Sequence, residues 1–185
     1  TTSVFRIDKE NVAVNDPSTM APGSINAGEL RSEGFELEVT GRIWRGLQIQ
    51  AGYGHLDTEV IRSDALPEGS RLQGVPDNSA NLWLSYDFQD GTPLEGFGLG
   101  AGLFYNDTID TQFSQFVGGV TVDSSVRADF SMWYQRQIAE NVRVNARLTL
   151  RNAFDEEFFV GGFGHIVQVG QPRTLLGNIG VEITF

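Results

Sequence analysis

Apolar side chains recur at every second residue through seven stretches of this chain, a period that suits a strand and not a helix. The stretches are Phe35–Val39, Leu47–Tyr53, Ala80–Phe88, Phe97–Tyr105, Val126–Tyr134, Val142–Leu150 and Leu175–Phe185. A less regular eighth runs near Val4–Glu10. No charged residue stands in the apolar phase of those seven stretches. The positions between include Glu36, Glu38, Asp87, Arg127, Asp129, Arg143, Arg147 and Glu182, and Arg151 continues their phase. Each stretch therefore has one face made for hydrocarbon, and wherever charge occurs within a stretch it falls on the other face.

Alternation alone also describes a soluble sandwich with polar residues facing water. The connections separate the two. Short turns at Gly41–Gly46, Gln89–Gly96 and Gln137–Asn141 alternate with long loops at Asn11–Asn26, Ile61–Asp77, Asn106–Gly119 and Asp155–Pro172. A sandwich has no reason to put every long loop at one end, whereas an outer-membrane barrel has short periplasmic turns and long extracellular loops. Aromatic rings also sit at both ends of the apolar band. Trp44, Phe88, Phe97, Tyr134 and Phe185 lie near the short turns, and Tyr53 and Tyr105 lie toward the long loops. Such rings belong at the two membrane interfaces. The expected fold class is all-β: antiparallel, up-and-down transmembrane β-barrel strands, about eight of them. The last strand then runs from a long loop to a periplasmic C-terminus.

Composition closes off other readings. No run approaches the roughly 18 apolar residues of a spanning helix, but a membrane strand needs only alternate apolar residues over about 9–11. The net charge of −11 argues against a nucleic-acid partner. Cysteine is absent, which removes disulfides, thiolate metal sites and a cysteine nucleophile. Thr1–Asp8 lacks a basic segment leading into an apolar core, so no signal peptide is expected there. The glycines of Phe97–Gly102 recur every two residues with no helix to follow, unlike a dinucleotide loop. They leave a bare strip on the polar face, which a large neighbour such as Trp83 or Trp133 would fill in a narrow barrel. His55 and His165, the only histidines, are far apart in sequence. Asp57, Glu59, Asp64 and Glu68 read as a solvated acidic loop, since their spacing does not fit a calcium loop. No serine–histidine–acid set supports an enzyme, and no cofactor or protein-held metal is expected.

Three stretches then carry a resemblance. Gly69-Ser-Arg-Leu-Gln-Gly-Val-Pro-Asp-Asn-Ser-Ala-Asn-Leu-Trp83, Leu150-Arg-Asn-Ala-Phe-Asp-Glu-Glu-Phe158 and Gly170-Gln-Pro-Arg-Thr174 resemble the C-terminal part of TonB-dependent siderophore receptors. Arg31-Ser-Glu-Gly-Phe-Glu-Leu-Glu38 fits the same family, and order and spacing agree over nearly the whole chain. The resemblance implies a place in a barrel of about 22 strands. It also implies an N-terminal plug domain, outer-membrane location, and uptake of a ferric siderophore driven by the TonB complex. Residues 1–185 would then be the C-terminal segment of the barrel domain, with the plug absent. Iron would enter only as part of the siderophore. The expected partners are outer-membrane lipid, the siderophore, TonB acting through the plug, and the barrel-assembly machinery. The final strand, with Ile179, Val181, Ile183 and Phe185 in one phase, resembles the assembly signal of outer-membrane clients. Loop aromatics, chiefly Phe113, Phe116 and Phe163 with His165, and beside them Phe158 and Phe159, are candidate ligand contacts, as family members grip siderophores with such rings. The alternative is a free-standing eight-stranded barrel with a structural or adhesive role, which requires the strand near Val4–Glu10 to pair with Arg173–Phe185.

Overall fold

The computed structural model describes residues 1–15, 24–26, 28–63, 67–72, 74–111, 120–163 and 166–184. Every regular element among them is a strand. Eight strands form one antiparallel sheet. They are β1 (Thr2–Glu10), β2 (Glu29–Arg42), β3 (Leu47–Arg62), β4 (Asn78–Asp87), β5 (Phe97–Asn106), β6 (Ser125–Ala139), β7 (Val142–Arg151) and β8 (Thr174–Ile183). Their order across the sheet is their order in the chain, a plain up-and-down meander. Three small two-stranded hairpins rise from the long loops.

Register carries the alternation from strand to strand. Leu47 stands opposite Tyr86, Tyr86 opposite Leu99, Leu99 opposite Met132, Met132 opposite Leu148, and Leu148 opposite Gly177. Residues directly opposed in an antiparallel pair share a face, so one whole face is apolar. That face is also exposed: Leu99 keeps 50% of its surface, Leu175 63% and Ile179 81%. Apolar area on this scale is untenable in water and is what a lipid-facing wall requires.

The strands run further than the alternation suggests. β3 has 16 residues and β2 has 14, whereas about 9–11 tilted residues cross the hydrocarbon. In β2 and β3 most of the excess lies at the long-loop end. There the outward phase turns from apolar to charged, at Arg6, Asp8, Arg31, Glu33, Asp57 and Glu59. Arg31 Nε lies 2.7 Å from Asp8 and an Arg6 nitrogen lies 3.1 Å from Glu33. Asp57 and Glu59 are thus strand residues opposite Glu33 and Arg31, not part of a solvated loop. Beyond the bilayer both faces of a strand meet water, so charge no longer argues against strand.

Among the described residues, β1 pairs within the sheet only with β2, and β8 only with β7. The sheet is open, which corrects the free-standing alternative. An eight-stranded barrel fills its interior with side chains. Here Glu36, Glu38, Arg143, Arg147 and Arg151 on the polar face remain exposed.

Candidate ligand-facing wall and its loop corners

The polar face is the one that would line a lumen. On β5, Gly98, Gly100 and Gly102 bare the backbone, and two indoles lie on it. A Cβ at Gly98 would come within 2.1 Å of the Trp133 ring, and one at Gly100 or Gly102 within 2.5 or 2.4 Å of Trp83. Both tryptophans that could fill the strip therefore do so. Trp133 Nε1 donates to Asp87 at 2.9 Å, and Gln48 donates to the other oxygen of the same carboxylate. The Arg147 guanidinium lies over the Trp133 ring, 5.3 Å from its centroid, and Arg127 lies 4.5 Å over Phe104. Further along, Glu36 accepts from Ser3 Oγ at 3.1 Å.

The stretches that carry the family resemblance build the corners where long loops leave the wall. In the first, Gly69 adopts φ +77°, its N–H donates to Val60 O, and Val60 N–H donates back to Ser70 O. Leu72 N–H donates to Thr58 Oγ1, and Leu72 packs with Val12 against the buried pair Leu30 and Val60. Arg71 pairs with Asp77. Asn78 is the hub. Its Oδ1 accepts from Tyr53 OH at 2.7 Å and lies 3.0 Å from His55 Nδ1, while its Nδ2 donates to Asp107 at 2.7 Å. An amide oxygen only accepts, so the His55 proton sits on Nδ1. The Asn78 amide and the Thr108 N–H hold the Asp107 carboxyl below its ordinary pKa by bonding its charged form.

The second corner turns on Asn152, which is 1% exposed at φ +49°. Its Oδ1 accepts from Glu156 N–H, and its Nδ2 donates to the carbonyls of Glu156 and Gln171. Its own N–H donates to Asp129, which also takes Arg127 at 3.1 Å. Asp155, at φ +57°, accepts from Arg173 N–H. Gly170 N–H donates to Phe158 O, and a Cβ on Gly170 would come within 2.4 Å of the Phe158 ring. The two separated stretches therefore form one knot. Sequence reasoning missed Asn152 and Asn78 as organisers. For Asn152 a signal existed for the left-handed turn alone, since Asn tolerates that conformation just past a strand's end.

The candidate contacts separate in space. Phe158 is buried in the knot and Phe159 stays half-exposed on the hairpin Phe159–Phe163/Ile166–Val169. Phe163 ends the first strand of that hairpin, with its side chain outside the described residues, and Phe113, Phe116, His165 and Phe185 lie wholly outside them. His55 is part of the Asn78 hub and faces Phe35 at 5.7 Å. Ile179, Val181 and Ile183 project outward from β8. Four rings of the expected girdle, Phe88, Phe97, Tyr134 and Tyr53, lie in ring pairs, with Tyr86 and Phe35 joining them. Phe97 meets Tyr134 at 4.7 Å and Tyr86 meets Phe88 at 5.2 Å near the short turns, and Phe35 meets Tyr53 at 5.6 Å toward the loops.

Residues 1–153 match the model of a family described as TonB dependent receptor-like, beta-barrel. The chain belongs to the TonB-dependent receptor β-barrel family. This places it in the outer membrane. The metal-pseudopaline receptor CntO of Pseudomonas aeruginosa is 31% identical over 95% of the chain, and the ferrioxamine B receptor of Salmonella typhimurium is 30% identical over 96%. Each match covers 24% of the relative. Among solved structures, the siderophore receptor PiuA from Acinetobacter baumannii aligns with TM-score 0.74 at 26% identity, over 98% of this chain and 25% of its own. The ferric preacinetobactin receptor BauA from the same species aligns with TM-score 0.78 at 21% identity, over 98% and 26%, and shares the fold. The chain thus spans about a quarter of the length of these receptors.

Proposed function

We propose that residues 1–185 are the C-terminal wall segment of a TonB-dependent outer-membrane receptor that imports a ferric siderophore. The observation that carries this reading is the open eight-stranded wall itself. It has an exposed apolar face, a polar face that carries charge and, among the described residues, two edges without a partner strand, and it matches siderophore and metal receptors along nearly its full length. Other strands of the same receptor satisfy the edges, because an unpaired backbone group in lipid costs roughly several kcal/mol. A plug outside this segment fills the lumen and couples it to the TonB complex. The protein is a transporter, not an enzyme. Iron is cargo held by its chelator, so the wall needs no metal ligands or cofactor.

In this reading the long loops catch the chelate, and Phe113, Phe116, Phe163 and His165 are the contacts to test first. The barrel-assembly machinery reads β8, whose Ile179, Val181 and Ile183, continued by Phe185, offer a periodic apolar ridge beside a free backbone edge suited to strand addition.

The test is radioactive iron uptake by cells that lack other siderophore receptors and express the full-length receptor. Supplied with ferric siderophores of the hydroxamate, catecholate and mixed classes, they should import at least one, and deletion of TonB should abolish import. Import that survives the deletion, or none with any class, refutes the reading.

A further inference from the structure

A furrow crosses the apolar face of the wall at right angles to its strands. Its upper ridge is the row Leu84, Ala101 and Phe130, and its lower ridge the row Tyr86, Leu99 and Met132. Ser85, Gly100 and Ser131 stand between the ridges in the opposite phase, so their backbone makes the floor. The N–H and C=O groups of that floor are spent on the strand ladder. The small Ala101, between Leu84 and Phe130, opens the upper ridge, and the furrow holds about 580 Å³. β4, β5, β6 and β7 each have both neighbours in place, and the lumen lies on the other face. Neither further barrel strands nor a plug covers this furrow; the membrane does.

Its length and slope say which part of the membrane. It extends from Leu47 on β3 to Leu175 on β8. Strands stand about 4.8 Å apart, so five spacings give roughly 24 Å. Membrane strands tilt by about 35–45°, so a row across them climbs roughly 14–17 Å. That is about half of the roughly 30 Å hydrocarbon thickness, the share of one leaflet. The low end lies at the short turns: Leu47 begins β3, and Tyr86 sits one residue from the end of β4, against Phe88 of the girdle. The high end, Leu175, is one residue into β8 from the long-loop side. We propose that the furrow seats one acyl chain of a periplasmic-leaflet phospholipid, which enters between Leu47 and Tyr86 and leans up toward Phe130 and Leu150. Lipid tails are as apolar as leucine, so transfer alone favours no position. The preference comes from contact with two ridges and a floor at once. The seat needs only the outer-membrane placement and not the transport reading, so the two fail separately.

The test uses the full-length receptor in phosphatidylcholine vesicles doped with the same lipid carrying a photoactivatable diazirine, near the headgroup in one probe and near the chain end in another. Mass spectrometry maps the label. Chain-end label should concentrate on residues 99–101 and 130–132, on the order of threefold above Leu37 and Val39 of the same face. Headgroup-proximal label should fall on Leu47 and Tyr86. Ala101→Leu fills the furrow and should remove the excess, and Leu84→Ala, which lowers a ridge, should reduce it. Heat-modifiable migration on a gel checks that each variant has folded. Even label across the apolar face of the unaltered receptor overturns the seat, as does an excess that survives Ala101→Leu. Headgroup-proximal label at the Leu175 end overturns the periplasmic source. Loss of the excess as receptor density in the vesicles rises would instead make the furrow an interface between copies, which also overturns the proposal.

Discussion

The two ends of the wall are closed by different means. At the short-turn end the bonds are local: backbone to backbone, or from side chains that reach only two to four residues, as Gln137 Nε2 does to Glu140 O and Thr92 Oγ1 to Gln89 O. Residues 140–141 alone join β6 to β7, and in the β2–β3 turn Leu47 N–H bonds Trp44 O while Ile43 N–H bonds Leu47 O. Gly46 is needed there because φ is +77° and a Cβ would come within 2.2 Å of Asp87 O. At the long-loop end side chains do the work, and two asparagines tie together segments far apart in sequence. Loops that must vary for a ligand need fixed roots, and an amide, with donor and acceptor on one rigid group, can root several chains at once. Turns with no ligand to meet need no such root.

This contrast can be broken by substitution in the refolded full-length receptor, read by urea unfolding in detergent. Asn152→Ala should have the largest effect, about 2–4 kcal/mol, because it leaves the Glu156 N–H and two carbonyls unmet in a buried site. Protease should then cut near residues 153–173. Asn78→Ala should cost about 1–3 kcal/mol by freeing Asp107 and Tyr53, with less effect than at Asn152 because its site is only partly buried. Gly46→Ala should cost about 1 kcal/mol or more through backbone strain. The hub at Asn78 should also show a pH dependence. The Asp107 carboxyl is depressed from its ordinary value of 3.8, so its stabilisation is complete above that value and fades as pH falls through the lower folded value. Asp107→Asn should remove this acid-side slope. Glu140→Ala, in the two-residue turn, should stay within about 0.5 kcal/mol. If Glu140→Ala matched Asn152→Ala, the proposed division of labour would be wrong.

Much of the wall was legible in the sequence because a period of two is enforced over many residues by a single cause, hydrocarbon on one side only. The direction of β8, the girdle pairs and the covering of the glycine strip all follow from that phase. Legibility stops where the cause stops. Past the bilayer edge, Asp57 and Glu59 look like loop although they are paired in β3. The Leu150–Phe158 stretch was recognisable as a family feature, but its meaning was not. Asn152 acts on Glu156 and Gln171 together, and a contact that joins residues so far apart leaves no local pattern. Phe158 looked like a ring offered to a ligand, until its seat on Gly170 took it out of reach.

The indoles laid on bare β5 also make the wall optically uneven. Of three tryptophans, Trp83 and Trp133 rest on the backbone of a single strand, whereas Trp44 stands 74% exposed in a turn. Emission from the first two should lie to the blue of the third. It should shift only once β4, β5 and β6 have found their register. A refolding experiment that follows colour as well as intensity would therefore time the zipping of mid-wall strands separately from the arrival of the turn at the membrane surface.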